Sequence, residues 1–262
     1  MDIWTKQTIQ AERAYKSQLG PLKLWLKKTS DELHMATDRG SEGCVSPCHG
    51  FTQTSDPSPE SLDWGRWVID RDDSYVQLVP TMPDRGVVVR TESPVKIPPS
   101  REAVFFVSIP TWIKICAGGS KLSDLWEVPS VIRSNTWFGD TLSGELCYSL
   151  VSRARRQVED ADHPLHKAVC PVKICNESGH MLNVDRFCVH VEHLSVYGGV
   201  RLLWTNKVTI RFQGEDQISK LDYARQKPDL ESQVKLLSPP RIPFKETLLK
   251  RSLGSFARLT DF

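Results

Sequence analysis

The chain has 262 residues, and its 34 basic and 32 acidic side chains leave a formal net charge of +2 at pH 7. A balance this close to neutral excludes a general electrostatic attraction to nucleic acid or to anionic lipid. A chain of 29.7 kDa buries about 73% of its unfolded surface on folding. It therefore needs neither a metal ion nor a disulfide to be stable.

The sequence also lacks the usual signals for a membrane or secreted protein. No apolar run reaches the roughly 18 residues that a membrane-spanning helix requires. The segment 1–7 has neither the basic start nor the apolar core of a signal peptide. The seven cysteines, an odd number, are then expected to be reduced thiols that pack as small apolar side chains. We predict a cytoplasmic protein with no nucleic-acid partner and no direct membrane insertion.

The start of the chain predicts strands around an irregular stretch. Residues 1–17 are predicted to be a short helix or a loose lead-in. In the segment 22–28 three leucines alternate with Lys, Trp and Lys, which is typical of a half-buried strand, and a second strand follows at 32–36. Residues 37–62 are rich in Gly, Ser, Pro, Asp and Glu, which predicts a flexible insertion.

From residue 64 to residue 213 the chain predicts one short strand after another. Val208, Ile210 and Phe212 alternate with polar residues, which indicates a strand with one buried face. The predicted strands are 64–69, 75–79, 87–90, 103–109, 111–116, 126–136, 145–152, 168–174, 181–191, 200–204 and 208–212. At least ten such runs without a βαβ rhythm predict a mainly β domain over 18–213, an antiparallel β-sandwich or distorted barrel.

The end of the chain, 214–262, changes character. Residues 214–243 are polar and contain four prolines, which predicts a wrapping segment. Apolar residues then recur with helical spacing between Phe244 and Leu259. This stripe predicts a C-terminal amphipathic helix over 244–259 that covers the sheets.

Metal ligation has three candidate groups in the sequence, one of which, Cys170 and Cys175, faces opposite sides of a predicted strand. Cys44, Cys48 and His49 are the nearest approach to a metal-binding cluster, but structural zinc requires four ligands. Cys188 and His190 share one face of a predicted strand, and we interpret them as strand packing. We therefore expect no bound metal and no cofactor.

The segment 133–148 has the most unusual composition, because it joins two predicted strands with aromatic, amide and charged residues. Such side chains can stack on a ligand and fix its orientation. The candidate ligand-binding residues are Arg133, Asn135, Trp137, Asp140 and Glu145. In the alternative interpretation, Trp137 and Phe138 close the end of a sandwich while Asn135 and Asp140 bond to loop amides. Because consecutive residues of a strand face opposite ways, we expect Phe138 to be buried and Trp137 to be partly exposed.

Two basic residues, Arg153 and Arg155, continue a predicted strand and share one face. They are candidate contacts for an acidic partner. Protection of an edge strand against aggregation is the alternative explanation.

Several motifs together resemble a known family, the uncharacterised prokaryotic family called domain of unknown function 432. They are Arg133 to Asp140, Gly144 to Tyr148, Gly20 to Trp25, His193 to Tyr197 and Leu203 to Thr205, and they extend over about residues 18–213. The resemblance implies no activity, because the family has none assigned. Some members neighbour genes for small-conductance mechanosensitive channels, which makes a channel subunit a candidate partner.

We therefore predict a non-catalytic cytosolic module that binds a ligand or protein partner through the loop 135–145. The sequence contains no nucleophile elbow, phosphate loop or dinucleotide fingerprint. One alternative is a carbohydrate-active enzyme with Asp140 and Glu145 as its carboxylate pair. Another is an accessory subunit of a membrane channel, which would be contacted through Arg153, Arg155 and the C-terminal helix.

Overall fold

The computed structural model describes residues 2–40, 48–55, 61–161, 164–214, 219–243, 248–249 and 253. Strands make up 56% of it, and in that part of the chain the helical structure consists of the short 3-10 turns Asp2–Trp4 and Val191–His193. The strands are β1 (Gln7–Thr8), β2 (Arg13–Leu19), β3 (Leu22–Lys28), β4 (Glu32–Arg39), β5 (His49–Thr54), β6 (Gly65–Val68), β7 (Tyr75–Thr81), β8 (Val87–Ile97), β9 (Glu102–Pro110), β10 (Trp112–Gly118), β11 (Leu122–Pro129), β12 (Asn135–Phe138), β13 (Glu145–Ser149), β14 (Lys167–Asn176), β15 (Leu182–Val189), β16 (Val196–Gly198), β17 (Leu203–Thr205), β18 (Val208–Phe212), β19 (Lys220–Tyr223), β20 (Lys235–Ser238) and β21 (Leu248–Leu249).

These strands form four sheets, which curl and include a half-barrel. Their strand orders are β5-β2-β3-β4-β6, then β1-β7-β10-β11, then β12-β13-β8-β15, and β20-β16-β17-β14-β18-β19-β21 with β9 also paired to β14. The prediction of a mainly β fold is confirmed. The prediction of purely antiparallel sheets is wrong, because β14 runs parallel to β17 and β18, and β13 runs parallel to β8. Alternation of side chains is the same in both orientations, so it does not encode strand direction.

The strand β14 lies at the centre of the largest sheet. One of its edges pairs with β9 from Lys167 to Cys175. The other edge pairs with β17 at Ala168 and Val169, and with β18 from Val172 onward. Pro171 falls between these two partners, so its missing N–H interrupts neither ladder.

The main hydrophobic core spans all four sheets. Phe105 on β9 and Phe187 on β15 are both fully buried, and their ring centroids lie 5.6 Å apart. In β3 the leucines 22, 24 and 26 are buried, as their alternation predicts. Val208 and Ile210 of β18 are buried too, so the face predicted from the sequence is the core face.

Two predictions for the N-terminal part differ from the structure. The predicted lead-in contains the seven-residue strand β2, which pairs with β3 along its whole length. The predicted insertion contains β5, which pairs with β2, while residues 41–47 and 56–60 lie outside the described residues. The inward position Ser17 weakens the apolar pattern of β2. Its hydroxyl donates to the carbonyl oxygen of His49 at 2.7 Å, so a hydrogen bond to β5 satisfies this buried polar group.

The predicted C-terminal helix is also wrong in the part that the structure describes. Leu248 and Leu249 form β21, which pairs with β19, and Leu253 forms a bridge with Phe187. An extended backbone at these three residues is incompatible with a continuous helix over 244–259. The spacing of these leucines in the sequence also fits a helical stripe, which is why it predicts a helix. In the structure each leucine pairs with a neighbouring strand instead. The rest of the predicted helix lies outside the described residues.

The segment 219–243 is held against the sheet β1-β7-β10-β11 by Arg241. Two guanidinium nitrogens donate to the carboxylate of Glu127, at 2.5 and 3.0 Å, and Nε donates to the carbonyl oxygen of Met82 at 2.6 Å. The guanidinium carbon lies 5.2 Å from the centre of the Trp112 ring. These contacts join the end of the segment to residues on and beside β7, β10 and β11.

We expect Arg241→Ala to lower the free energy of unfolding by roughly 2–3 kcal/mol, because charge-assisted hydrogen bonds contribute about this much and Glu127 loses its cationic partner. Urea unfolding followed by circular dichroism measures the change. Arg201→Ala is the matched control at an exposed position, and its effect should stay within about 0.5 kcal/mol. Equal effects of the two substitutions would contradict the role of Arg241.

Candidate functional site

The segment singled out in the sequence forms the hairpin β12–β13. Its register places Asn135 opposite Tyr148, Trp137 opposite Leu146 and Phe138 opposite Glu145. Because side chains alternate along each strand, the hairpin has two different faces. We define the outer face by the residues Asn135, Trp137, Leu146 and Tyr148.

The turn of the hairpin is held by Asp140. Its carboxylate accepts hydrogen bonds from the backbone N–H groups of Leu142 and Ser143, at 3.0 and 2.7 Å, and from the Ser143 hydroxyl at 2.6 Å. The indole N–H of Trp137 donates to the carbonyl oxygen of Asp140 at 2.8 Å. A Cβ atom on Gly144 would lie 2.3 Å from this indole nitrogen, so only glycine fits beneath the ring. Asp140 thus bonds to loop amides, as the alternative interpretation of the sequence expected.

The outer face presents apolar side chains to solvent. Trp137 is 48% exposed and its cross-strand partner Leu146 is 47% exposed, while Leu142 at the tip of the turn is 97% exposed. At the base of the face, the Tyr148 hydroxyl donates to the carboxylate of Asp84 at 2.8 Å. The expected contrast within the hairpin is confirmed, because Phe138 is only 1% exposed.

The five predicted ligand-binding residues do not converge on one surface. Asn135 and Trp137 lie on the outer face, and Asp140 lies in the turn. Arg133 is half-buried before β12 begins. Glu145 lies opposite Phe138, and its Oε1 is 3.3 Å from Nδ1 of His190.

The two predicted partner-binding residues differ in their surroundings. Arg153 is exposed, whereas Arg155 forms an ion pair with Glu92 that raises the pKa of Arg155. The backbone of Arg155 also exchanges hydrogen bonds with Phe106 of β9. Arg155 therefore pairs with the edge of β9 that faces away from β14.

The inner side of the hairpin holds a group of residues that the sequence analysis did not combine. We call Glu145, Cys147, Cys188 and His190 the inner cluster. The two Sγ atoms are 3.6 Å apart, and both lie within 4.8 Å of a Glu145 carboxylate oxygen and of each other. Cys147, Cys188 and His190 are buried. The hydrogen bond with the Cys147 thiol, together with burial, raises the pKa of Cys188 well above its ordinary value.

A faint signal for the inner cluster exists in the sequence. Glu145 and Cys147 are two residues apart, as are Cys188 and His190, and this spacing places each pair on one face of its strand. The same spacing is equally typical of strand packing, and the sequence does not link one pair to the other.

Of the N-terminal group Cys44, Cys48 and His49, the nearest approach to a metal-binding cluster in the sequence, the structure describes Cys48 and His49. Cys48 is half-buried, and burial raises the pKa of its thiol. Nδ1 of His49 lies 2.9 Å from the carbonyl oxygen of Gly50. Cys44 lies outside the described residues.

A family model described as "Protein of unknown function (DUF432)" matches residues 3–257, nearly the whole chain. The chain belongs to this family. The resemblance noted from the motifs around Trp137 is thereby confirmed for DUF432. No curated protein and no solved structure matches this DUF432 protein. In the described part of the chain, none of the helical segments has the length and apolar character needed to cross a bilayer.

The two faces of the hairpin predict opposite responses to truncation. We expect Phe138→Ala to cost roughly 3–5 kcal/mol of unfolding free energy, because it removes a fully buried aromatic ring. Trp137→Ala should cost about 1 kcal/mol, since the residue is half exposed and loses mainly one hydrogen bond. Thermal or urea unfolding of both variants tests this. A severe loss for Trp137→Ala with a silent Phe138→Ala would reverse the assignment of the faces.

Proposed function

We propose that this DUF432 protein is a non-catalytic module that binds a polypeptide partner through the loop 135–145 and the outer face of the hairpin. The observation that supports this most directly is the pair of exposed apolar side chains, Trp137 and Leu146, directly opposite each other in the register. Tryptophan is among the residues that most often carry binding energy at protein interfaces.

The rigidity of the hairpin favours binding. Asp140 fixes the turn with three hydrogen bonds, and a fourth holds the Trp137 indole against that turn. A side chain that is already held in place loses little conformational entropy when a partner covers it. Trp137 is thus presented in a defined orientation before any partner arrives.

The position of β12 indicates what kind of partner fits. In the described part of the chain, β12 is the outermost strand of its sheet, with β13 on its other side. An edge strand offers backbone N–H and C=O groups to an additional extended segment. We therefore favour an extended polypeptide with apolar side chains that pack on Trp137 and Leu146.

The two alternative functions have less support. A carbohydrate-active enzyme would need the carboxylates of Asp140 and Glu145 to flank one substrate. Asp140 is instead engaged within the turn, and Glu145 approaches His190 on the inner side of the hairpin. An accessory role at a channel would use Arg153, Arg155 and a C-terminal helix, and of these residues Arg153 is exposed. Arg155 is already paired with Glu92, and Leu248–Leu249 is a strand.

Photo-crosslinking in cells tests the proposal. A benzophenone amino acid at Leu142 should capture a protein partner, which mass spectrometry then identifies. The same probe at Val68, an exposed position on the N-terminal sheet, is the matched control and should not capture this partner.

Binding of the identified partner to the purified protein then measures the contribution of the outer face. Trp137→Ser should raise the Kd at least about 30-fold, the effect of losing an interface hot spot. Val68→Ser should leave the Kd within about twofold, as a surface substitution outside an interface does. Capture of the same partner from both probe positions, or an unchanged Kd for Trp137→Ser, would refute the proposal.

A further inference from the structure

We infer that the inner cluster is a binding site for one divalent transition-metal ion, of which Zn²⁺ best suits the donors. The four ligands would be the carboxylate of Glu145, the thiolates of Cys147 and Cys188, and the imidazole of His190. This inference is independent of the proposed outer contact face, because it concerns the opposite side of the hairpin.

The distances among the ligand atoms of Glu145, Cys147 and Cys188 fit a single bound ion, and His190 would approach them further to complete the set. Two Zn–S bonds of about 2.3 Å at a tetrahedral angle place the sulfur atoms about 3.8 Å apart. The observed separation between the Sγ atoms of Cys147 and Cys188 is 3.6 Å. A Glu145 oxygen lies within 4.8 Å of both sulfur atoms, and His190 Nδ1 lies 3.3 Å from Glu145 Oε1.

The strand order brings these ligands together. The strands β13 and β15 flank β8, and Val88 of β8 is the register partner of both Ser149 and Cys188. Just before β8, Gly86 leaves a space between the two flanking strands. A Cβ atom there would lie 3.0 Å from Sγ of Cys188, 3.4 Å from Sγ of Cys147 and 3.5 Å from Nδ1 of His190. Three ligand groups therefore surround a position where the chain has no side chain.

A disulfide explains this arrangement less well than a metal ion does. Strands separated by a third strand lie about 9–10 Å apart in a flat sheet, whereas the Cα atoms of a disulfide lie within about 7 Å. The curl of the sheet brings the two strands closer together than they would be in a flat sheet. A metal ion spans the remaining separation, so the two strands need not approach each other further. Apolar packing with Val88 and Phe138 accounts for the two thiols, but not for a carboxylate and an imidazole beside them.

The chemistry of the donors favours zinc. Two thiolates, one imidazole and one carboxylate form a mixed S, N and O set that suits a borderline-soft ion with tetrahedral coordination. Zinc binds cysteine as the thiolate, so binding of the ion is coupled to the release of thiol protons. The Glu145 side chain is 35% exposed, which gives the ion a route into the buried site.

Titration of the reduced, chelator-treated full chain with Co²⁺ tests the inference. We expect one Co²⁺ per chain, with thiolate-to-cobalt charge-transfer bands and the intense visible bands of tetrahedral Co²⁺. Zn²⁺ should displace the cobalt and remove both sets of bands. Absence of these bands in the wild-type protein would overturn the inference.

Ligand variants locate the ion. Cys147→Ser and Cys188→Ser should each weaken metal binding by more than about 100-fold, which exceeds the usual effect of removing an outer hydrogen-bond partner. Glu145→Gln should keep the charge-transfer bands and weaken binding less. Cys175→Ser is the matched control, and Cys48→Ser tests the N-terminal group. Bands that survive both thiol substitutions in the inner cluster, or that disappear in Cys48→Ser, would overturn the site.

Alkylation of the wild-type protein tests the inference without any substitution, so it remains decisive if a substituted chain does not fold. Zn²⁺ should protect Cys147 and Cys188 of the wild-type protein from alkylation in partly denaturing urea, as peptide mass spectrometry measures. Alkylation of Cys175 should stay unchanged. Equal labelling of Cys147 and Cys188 with and without Zn²⁺ would refute the inference.

Discussion

The pairing of β9 with β14 is the interaction on which the other sheets depend. It runs without a register shift from Lys167 opposite Pro110 to Cys175 opposite Glu102. On its other edge β14 pairs with β17 and β18, so it organises the largest sheet. On β9, Phe105 packs against Phe187 of β15, which belongs to the sheet that carries the hairpin. This aromatic contact is one of the links between the candidate site and the central ladder.

The alternation of apolar and polar residues made many strands and their buried faces predictable. It did not make the partners or the directions of the strands predictable. The buried leucines of β3 and the buried face of β18 could be predicted, because alternation within a strand shows which of its two faces is buried. The strands β2 and β5 were missed because the inward residue Ser17 is polar and its hydrogen-bond partner is 32 residues away. The prediction of a C-terminal helix was wrong because Leu248 and Leu253 have a helical spacing in the sequence. In the structure each of them pairs with a different strand.

The same limit applies to the candidate site. Alternation correctly separated the exposed Trp137 from the buried Phe138, because both lie in one continuous strand. It could not bring Glu145 and Cys147 together with Cys188 and His190, since that requires knowing that β8 lies between β13 and β15. In a metal-bound protein the ion would join these strands beneath the hairpin. Its presence would then limit how far the hairpin can move relative to its sheet.

The position of Arg241 has a consequence for the way the protein is made. Its guanidinium bonds to Glu127, 114 residues earlier in the chain, and the neighbouring Ser238 bonds to the carbonyl oxygen of Pro80, 158 residues earlier. During synthesis on the ribosome, the strands around Thr81 emerge more than 100 residues before the segment that binds them. Contacts so distant in sequence form slowly, and uncovered strand edges promote aggregation in the meantime. A chain that stops before residue 241 lacks the contacts that Arg241 makes with Met82 and Glu127.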